Sequence, residues 1–462
     1  MQPTRIFARM AAPTLAIVAL ASLAGARQAA APVSTGAVPQ VPATTGSAAQ
    51  AGRGGGREPA VVSPEVLPDR RVVFRIVALR AETVTISASD IPASIMVPAQ
   101  SAYPGAGTTP APAGAAPTAP AAPPAAPQSG RGGPPFTRNE SGVWEATIGP
   151  LVPGSFRYVF QVDGVRTLDP VNTTISESNT ATWSLFYVPG LDFQDVRDVP
   201  HGAVATVYYS SAVLKTTRRM HVYTPPGYES GTQKYPVFYL LHGAGDSDDA
   251  WTSVGRAGFI MDNLIAEKKA APMIIVMPAG HQPATPGTAT PATAAAPGAA
   301  QPPAINPFTV EFVTDVVPCV ERHYRTLTGR RHRAIAGLSM GGSQTLDIAF
   351  RQLARFAYIG VFSSGATLGG GRGAAPAATN APPRPDWEAT HREDLDNATL
   401  KKGTTVIWLS TGVDDGLITN TRATVELLKK HGFNPVFKES PGGHTWINWR
   451  NYLSEFATRL FQ

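Results

Sequence analysis

The 462-residue sequence predicts an α/β fold, a mainly parallel sheet flanked by helices, preceded by a smaller all-β sandwich. Two observations carry this prediction. From about residue 200 onward, short continuous apolar runs, as in strands covered on both faces, alternate with segments of helical apolar spacing. Between residues 62 and 190 the apolar runs are short, rich in β-branched residues and bounded by turn signals. The length is compatible with two domains at about 100 to 200 residues each.

At the start of the chain, Arg5 and Arg9 precede an apolar stretch of signal-peptide length that ends in Ala24-Gly25-Ala26, a small-x-small cleavage pattern. Residues 1–26 are therefore expected to be a signal peptide, which places the mature chain in the secreted or periplasmic compartment. The apolar part is short for a spanning helix, and no later segment is apolar for long enough, so no membrane association is expected after cleavage. Residues 27–60, mostly Ala, Gly, Pro and Thr, are expected to be a disordered linker.

In the β region, residues 62–190, strands are expected at "RVVFRIVAL", "ETVTISA" and "GVWEATIG", and "FRYVFQVDGVRTLDP" has the Asp163-Gly164 pair of a tight hairpin. A Pro/Ala-rich tract at about 102–135 interrupts this region, a second at about 282–304 interrupts the α/β domain of residues 200–462, and a Gly-rich tract spans about 368–384. Such tracts cannot offset their ordering entropy and are expected to be surface insertions. With Gly and Pro at 44 each and only 16 % charged residues, a packed core has to share the chain with sequence of this kind.

In the α/β domain, "YPVFYLL", "MIIVM", "RAIAG", "YIGVFSS", "TTVIWLS" and "NPVFKES" are the strand candidates. "FTVEFVTDVVPCVERHY", "GSQTLDIAFRQLA", "TRATVELLKKHG" and "WINWRNYLSEFATRLF" have helical spacing. In such a sheet ligands gather at the carboxyl ends of the strands.

Composition narrows the function classes. The net charge is +6, but Lys and Arg are scattered with no dense run alternating with aromatics, so no nucleic-acid partner is expected. The single cysteine, Cys319, excludes an intramolecular disulfide and a Cys-based zinc site, and its apolar surroundings suit a buried thiol. Asp246, Asp248 and Asp249 read as helix caps or first-turn charges, so neither a metal nor a cofactor is expected. Nothing in the sequence sets an oligomeric state.

The chemistry concentrates in "RRHRAIAGLSMGGSQTLDIAF", residues 330–350. A serine oxygen attacks a carbonyl only if it projects from the sheet into a cleft, and a sharp strand-to-helix turn achieves this. That turn strains the backbone and brings neighbouring chain close, which calls for small residues two positions to either side. Gly337-Leu338-Ser339-Met340-Gly341 meets the requirement between a strand and a helix.

A neutral serine needs a base, and the base an orienting acid. His444 follows the last strand in a glycine-flanked loop, and Asp414 and Asp415 end the strand before it, either of them a candidate acid. An oxyanion would be met by the N–H of Met340 and of Ala244, the latter in the turn His242-Gly243-Ala244-Gly245 after an earlier strand. His242 reads as a structural hydrogen-bonding residue. Trp251 and Trp446 follow the turn and the histidine and are candidate walls of a substrate pocket, with helix packing as the alternative.

"YPVFYLLHGAGDSDDAW", "GRAGFIMDNLIAEKK", "VMPAGH", "AGLSMGG" and "GGHTWINWR" resemble, in order, the motifs of the esterase D superfamily of α/β-hydrolases. More narrowly they resemble feruloyl and acetyl-xylan carbohydrate esterases and the related enterochelin esterases. The resemblance implies a catalytic Asp in a G-x-x-D motif, here Gly412-Val413-Asp414-Asp415, which selects Asp415. It also implies that the preceding β region is an immunoglobulin-like, glycogen-binding-type module, in which Trp144 and Tyr158 are candidates for stacking on sugar rings.

The function implied is cofactor-free hydrolysis of an ester, feruloyl or acetyl and carbohydrate-linked, through an acyl-enzyme on Ser339 with His444 and Asp415. A siderophore trilactone esterase or an acyltransferase is the enzymatic alternative. A carbohydrate-binding protein with an inactive hydrolase domain is the non-enzymatic one.

Overall fold

The computed structural model describes residues 60–91, 136–282, 305–366 and 387–462. The expected leader, the linker and the three low-complexity tracts lie outside these residues, apart from single positions at their edges. Among the described residues no helix is long and apolar enough to cross a membrane.

Among the described residues nine short strands come first: β1 (Glu65–Val66), β2 (Val72–Val77), β3 (Val84–Ala88), β4 (Thr137–Arg138), β5 (Val143–Ile148), β6 (Gly154–Val162), β7 (Val165–Thr167), β8 (Ile175–Glu177) and β9 (Thr182–Val188). They form two antiparallel sheets, one in the order β1-β2-β5-β4 and one in the order β3-β6-β9-β8 with β7 paired to β6. Alternate residues of both sheets meet in one core: Phe74 and Ile76 of β2, Ala146 and Ile148 of β5, and Phe156, Tyr158 and Phe160 of β6. Asp163 and Gly164 both have positive φ, 48° and 80°, as a two-residue hairpin turn between β6 and β7 requires.

A larger eight-stranded sheet follows. Its strands are β10 (Ala203–Ser211), β11 (Thr216–Thr224), β12 (Val237–Leu241), β13 (Ile274–Pro278), β14 (Arg333–Leu338), β15 (Tyr358–Phe362), β16 (Val406–Gly412) and β17 (Val436–Ser440), in the order β10-β11-β13-β12-β14-β15-β16-β17. The last six are mutually parallel, and β10 and β11 add an antiparallel hairpin at one edge. The helices are α1 (Ala257–Ala266), α2 (Pro307–Glu311), α3 (Val317–His323), α4 (Met340–Arg351), α5 (Trp387–Asp396), α6 (Ala398–Lys402), α7 (Ile418–Lys430) and α8 (Trp446–Ala457). A five-residue π-helical stretch, Phe312–Val316, joins α2 to α3 just before Pro318, which has no N–H to continue an ordinary ladder.

Both faces of the sheet are covered, as the continuous apolar runs demand. On β12, Val237, Tyr239 and Leu241 point into one core together with Leu346 and Phe350 of α4. Phe238 and Leu240 point into the other, with Ile260 and Met261 of α1 and Phe456 of α8. The β10–β11 hairpin is not among the strands expected from sequence. Four of the first five residues of β10 are exposed, so its composition lacks the apolar run that marks the buried strands.

Chain order reverses beside β12, which lies between β13 and β14, and this is where an open parallel sheet leaves a crevice at its carboxyl edge. The register brings that edge level: Leu241 pairs with Gly337, Leu338 with Phe362, and Gly412 with Ser440. The loops after β12, β14, β16 and β17 therefore open onto one site.

Residues 58–462 cluster as one compact unit. The β region and the large sheet share buried groups: Leu185 of β9 lies in the α8-side core, and Arg450 of α8 donates from Nη1 to the carbonyls of Ser155 (3.2 Å) and Val254 (2.9 Å). A side chain on Gly154 would collide with that guanidinium, so the close approach depends on glycine. Differential scanning calorimetry should therefore give a single endotherm for residues 58–462. Two resolved transitions would show that the β region folds and melts on its own.

Candidate active site

Ser339 stands between the end of β14 and the first residue of α4 with φ 51° and ψ −115°, a conformation rarely adopted by a residue with a side chain. Its neighbours explain the spacing of the glycines. A Cβ on Gly337 would overlap the Gly341 carbonyl, and one on Gly341 would stand 2.6 Å from the His242 carbonyl oxygen and 2.7 Å from that of Leu241. The turn is fixed by the Ser339 N–H donating to the Phe362 carbonyl (2.9 Å) and by Ser364 Oγ donating to the Ser339 carbonyl (2.7 Å).

His444 Nε2 lies 3.0 Å from Ser339 Oγ, and His444 Nδ1 lies 2.9 Å from Asp415 Oδ2. A carboxylate only accepts, so Nδ1 carries the proton and Nε2 is free to accept from the serine hydroxyl. Asp415 is 2 % exposed, and its Oδ1 accepts the Leu417 N–H at 2.9 Å. Burial works to raise its pKa, but the His444 hydrogen bond and charge, the Leu417 N–H and the Ser363 hydroxyl outweigh it and hold the carboxyl below its ordinary value. Asp414 is exposed, and its N–H donates to the Gly442 carbonyl at 3.0 Å; among the described residues its carboxylate meets neither His444 nor Ser339. The structure thus brings together Ser339, His444 and Asp415 and leaves Asp414 outside.

Met340 is the first residue of α4, where an N–H has no acceptor within the helix. Ala244 is exposed in a turn closed by the Asp246 N–H donating to the Gly243 carbonyl at 3.1 Å. Gly243 packs against the serine: a Cβ there would stand 2.6 Å from Leu338 Cδ1 and 3.6 Å from Ser339 Cβ. His242 is buried, accepts the Gly280 N–H on Nε2 (2.8 Å) and so donates from Nδ1 to the Gly243 carbonyl (2.8 Å). Burial pushes its pKa down to about 4, so it is a neutral spacer of the turn.

Trp251 and Trp446 require a correction. They are 0 % and 3 % exposed and pack edge to face with ring centroids 5.0 Å apart, inside the core under α8. Trp251 Nε1–H donates to the Leu241 carbonyl at 3.1 Å, which ties the start of the turn to this core. The two tryptophans therefore support the loops from below and do not line a pocket. Trp144 and Tyr158 are likewise buried in the β region, at 9 % and 0 % exposed, and offer no face to a sugar.

The three aspartates after the turn have separate partners. Asp246 pairs with Arg157, Asp248 with Arg219 and His221, and Asp249 accepts from Ser253 and the Glu177 N–H. No sequence pattern marks Trp449, whose ring meets His444 edge on at 4.9 Å, or Ser363, whose hydroxyl accepts the Trp449 indole N–H at 3.0 Å. The "FSS" that ends the fourth strand candidate is the only trace of the latter.

The fold is that of an α/β hydrolase, a mixed sheet with its loops gathered at the carboxyl edge of the parallel strands. The sequence model of the esterase family, described as "Putative esterase", matches residues 211–460, and the chain belongs to that family. An endo-1,4-beta-xylanase/feruloyl esterase of Xylanibacter ruminicola is 29 % identical over 344 residues, 72 % of this chain and 42 % of that one. Endo-1,4-beta-xylanase Y of Acetivibrio thermocellus is 26 % identical over 270 residues, 54 % of this chain and 22 % of that one. This chain thus spans less than half the length of these curated relatives. The crystal structure of the enterobactin esterase FES from Shigella flexneri in the presence of enterobactin shares the fold over 84 % of this chain and 92 % of that one, at 15 % identity and a TM-score of 0.51.

Two predictions follow from the burial of these groups. Trp251→Ala should lower the unfolding free energy in urea by about 3–5 kcal/mol while leaving KM for a small aryl ester unchanged; a raised KM at unaltered stability would return the residue to the pocket. The lowered pKa of His242 means that between about pH 4 and 6.5 the unfolded chain binds more protons than the folded one, so this residue makes stability fall as pH falls through that window. The urea midpoint of His242→Gln should decline less steeply than wild type over the same range.

Proposed function

We propose that this chain is a secreted or periplasmic serine carboxylesterase. The hydrogen-bonded relay Ser339–His444–Asp415 on a strained strand-to-helix turn is the observation that carries the proposal. In this reading Ser339 Oγ attacks the ester carbonyl while His444 Nε2 takes its proton, with Asp415 holding the imidazole and stabilising the imidazolium. The Met340 and Ala244 N–H groups receive the oxyanion. Collapse of the tetrahedral intermediate breaks the ester C–O bond, His444 returns the proton to the leaving alcohol, and a water molecule repeats the sequence on the acyl-enzyme to release the acid.

Feruloyl or acetyl esters on plant-wall polysaccharide are the proposed substrates. The curated relatives named above, which combine xylanase and feruloyl esterase in one chain or carry the xylanase name, support this choice, and the leader-like segment suits a polymer too large to import. The preceding two-sheet region is proposed to be an immunoglobulin-like module, from its two antiparallel sheets around one core. A siderophore trilactone is the competing substrate, because the fold shared with the enterobactin esterase runs across this β region as well.

Two experiments test the proposal. On p-nitrophenyl acetate, Ser339→Ala should cost roughly a thousandfold or more in kcat, and Asp415→Ala far more than Asp414→Ala; equal rates for wild type and Ser339→Ala would leave a binding protein. Ferulate release from arabinoxylan should be lost in Ser339→Ala. Turnover of a trilactone without ferulate release would keep the serine mechanism and replace the substrate.

A further inference from the structure

The turn that carries Ala244 is gripped from outside the α/β domain. Asp246, two residues beyond Ala244, is buried, and its carboxylate meets Arg157, in the middle of β6. Arg157 Nη1 lies 2.6 Å from Asp246 Oδ1, with both side chains less than a tenth exposed. The rest of the guanidinium is held by the β region: Nε donates to Ser176 Oγ (2.9 Å) and Nη2 to the Glu177 carbonyl (2.8 Å).

Main-chain contacts run alongside this pair. Ser178 forms an antiparallel bridge with Asp246, and the Asn179 N–H donates to the Gly245 carbonyl at 3.3 Å. Further along, the Glu177 N–H donates to Asp249 Oδ2 (2.8 Å), Ser176 Oγ and Ser253 Oγ are 2.6 Å apart, and Arg219 bridges Glu177 and Asp248. On the far side of the turn, His281 Nε2 lies 3.2 Å from the Asp246 carbonyl oxygen.

We propose that Arg157 is a positioning residue for ester hydrolysis, acting through Asp246 to aim the Ala244 N–H at the oxyanion. This rests on the assignment of Ser339 and Ala244 made above. The physical case has three steps. A donor lowers the barrier only if it already points to where charge will develop, within about 0.5 Å. The turn is fixed at its start by β12, through the Trp251 indole on the Leu241 carbonyl, but its end has no strand of its own and is fixed by Asp246. A buried carboxylate stripped of its cation is driven toward water, and the backbone of Asp246 is part of the turn, its N–H donating to the Gly243 carbonyl at 3.1 Å, so a shift of Asp246 is felt at Ala244.

The test uses the full chain, with active sites counted by fluorophosphonate titration. Wild type, Ser339→Ala, Arg157→Met, Arg157→Lys, Asp246→Asn and the double variant Arg157→Met/Asp246→Asn are compared on p-nitrophenyl acetate and with benzeneboronic acid. The boronate forms a tetrahedral serine adduct and so reads the oxyanion site without turnover. Arg157→Met is expected to lose on the order of 30- to 100-fold in kcat per site with KM little changed, as about 1 Å of misplacement can do. The boronate inhibition constant should rise in parallel, Arg157→Lys should fall between, and the double variant should lose no more than the worse single one.

Wild-type kcat and boronate affinity in Arg157→Met, measured well below its unfolding temperature, would overturn the inference while leaving the esterase reading intact. So would a rise in KM alone. Failure of all the Arg157 variants to fold, the double one included, would make the pair a structural link and overturn the positioning role. Absence of Ser339-dependent turnover in wild type would overturn both readings.

Discussion

The backbone of Ser339 is the constraint on which the cleft depends. Holding a residue with a side chain at φ 51° and ψ −115° costs on the order of 1–3 kcal/mol, so the surroundings must over-determine it. Two neighbouring pieces of chain do so, the ends of β15 and β12. The Phe362 carbonyl accepts its N–H, the Ser364 hydroxyl donates to its carbonyl, and the carbonyls of Leu241 and His242 press against Gly341 so closely that only glycine fits. Each belongs to a neighbouring parallel strand or the loop after it, so the sheet register that levels the strand ends also holds the serine.

The same sheet edge gives two histidines opposite characters. His242 is enclosed, has both ring nitrogens committed to backbone and is pushed toward the neutral form. His444 is only partly buried, has a buried carboxylate on one side and a hydroxyl on the other, and lies edge on to Trp449. Residue type does not distinguish the two histidines here; partner type does. Backbone partners on both nitrogens leave no site for a proton in transit. A carboxylate and a hydroxyl supply one.

The parallel strands were legible in the sequence because each is a continuous apolar run with one side chain alternately in each of two cores, as Val237 to Leu241 shows. Ser339, Asp415 and His444 were legible because each follows such a run and because small residues crowd Ser339 and His444. Sequence alone leaves the candidate acid open between two adjacent aspartates, the G-x-x-D resemblance favours Asp415, and in three dimensions the distinction is burial, which adjacent positions cannot reveal. The tryptophans misled for the same reason. Trp251 and Trp446 lie near the site in sequence, but the chain direction that brings their backbones to the cleft turns their rings into the core beneath it. The β10–β11 hairpin and the Arg157–Asp246 pair left no local pattern, the first because its edge strand is largely exposed and the second because its partners are 89 residues apart.

This last point bears on what the β region is for. A separable binding module would present aromatic faces outward and touch its neighbour through a wet, exchangeable surface. Here Trp144 and Tyr158 face inward, and the neighbour is met through buried guanidinium groups, Arg157 reaching Asp246 in the turn after β12 from β6 and Arg450 reaching back from α8 to β6. A buried charge that loses its partner is costly, so neither contact can slide or part without penalty. The two contacts end on the loops that flank Ser339, the turn after β12 and the helix that follows His444. A chain arranged this way has made the β region part of the frame that holds the Ala244 turn and the helix after His444, and the geometry of the cleft is then a property of residues 58–462 together.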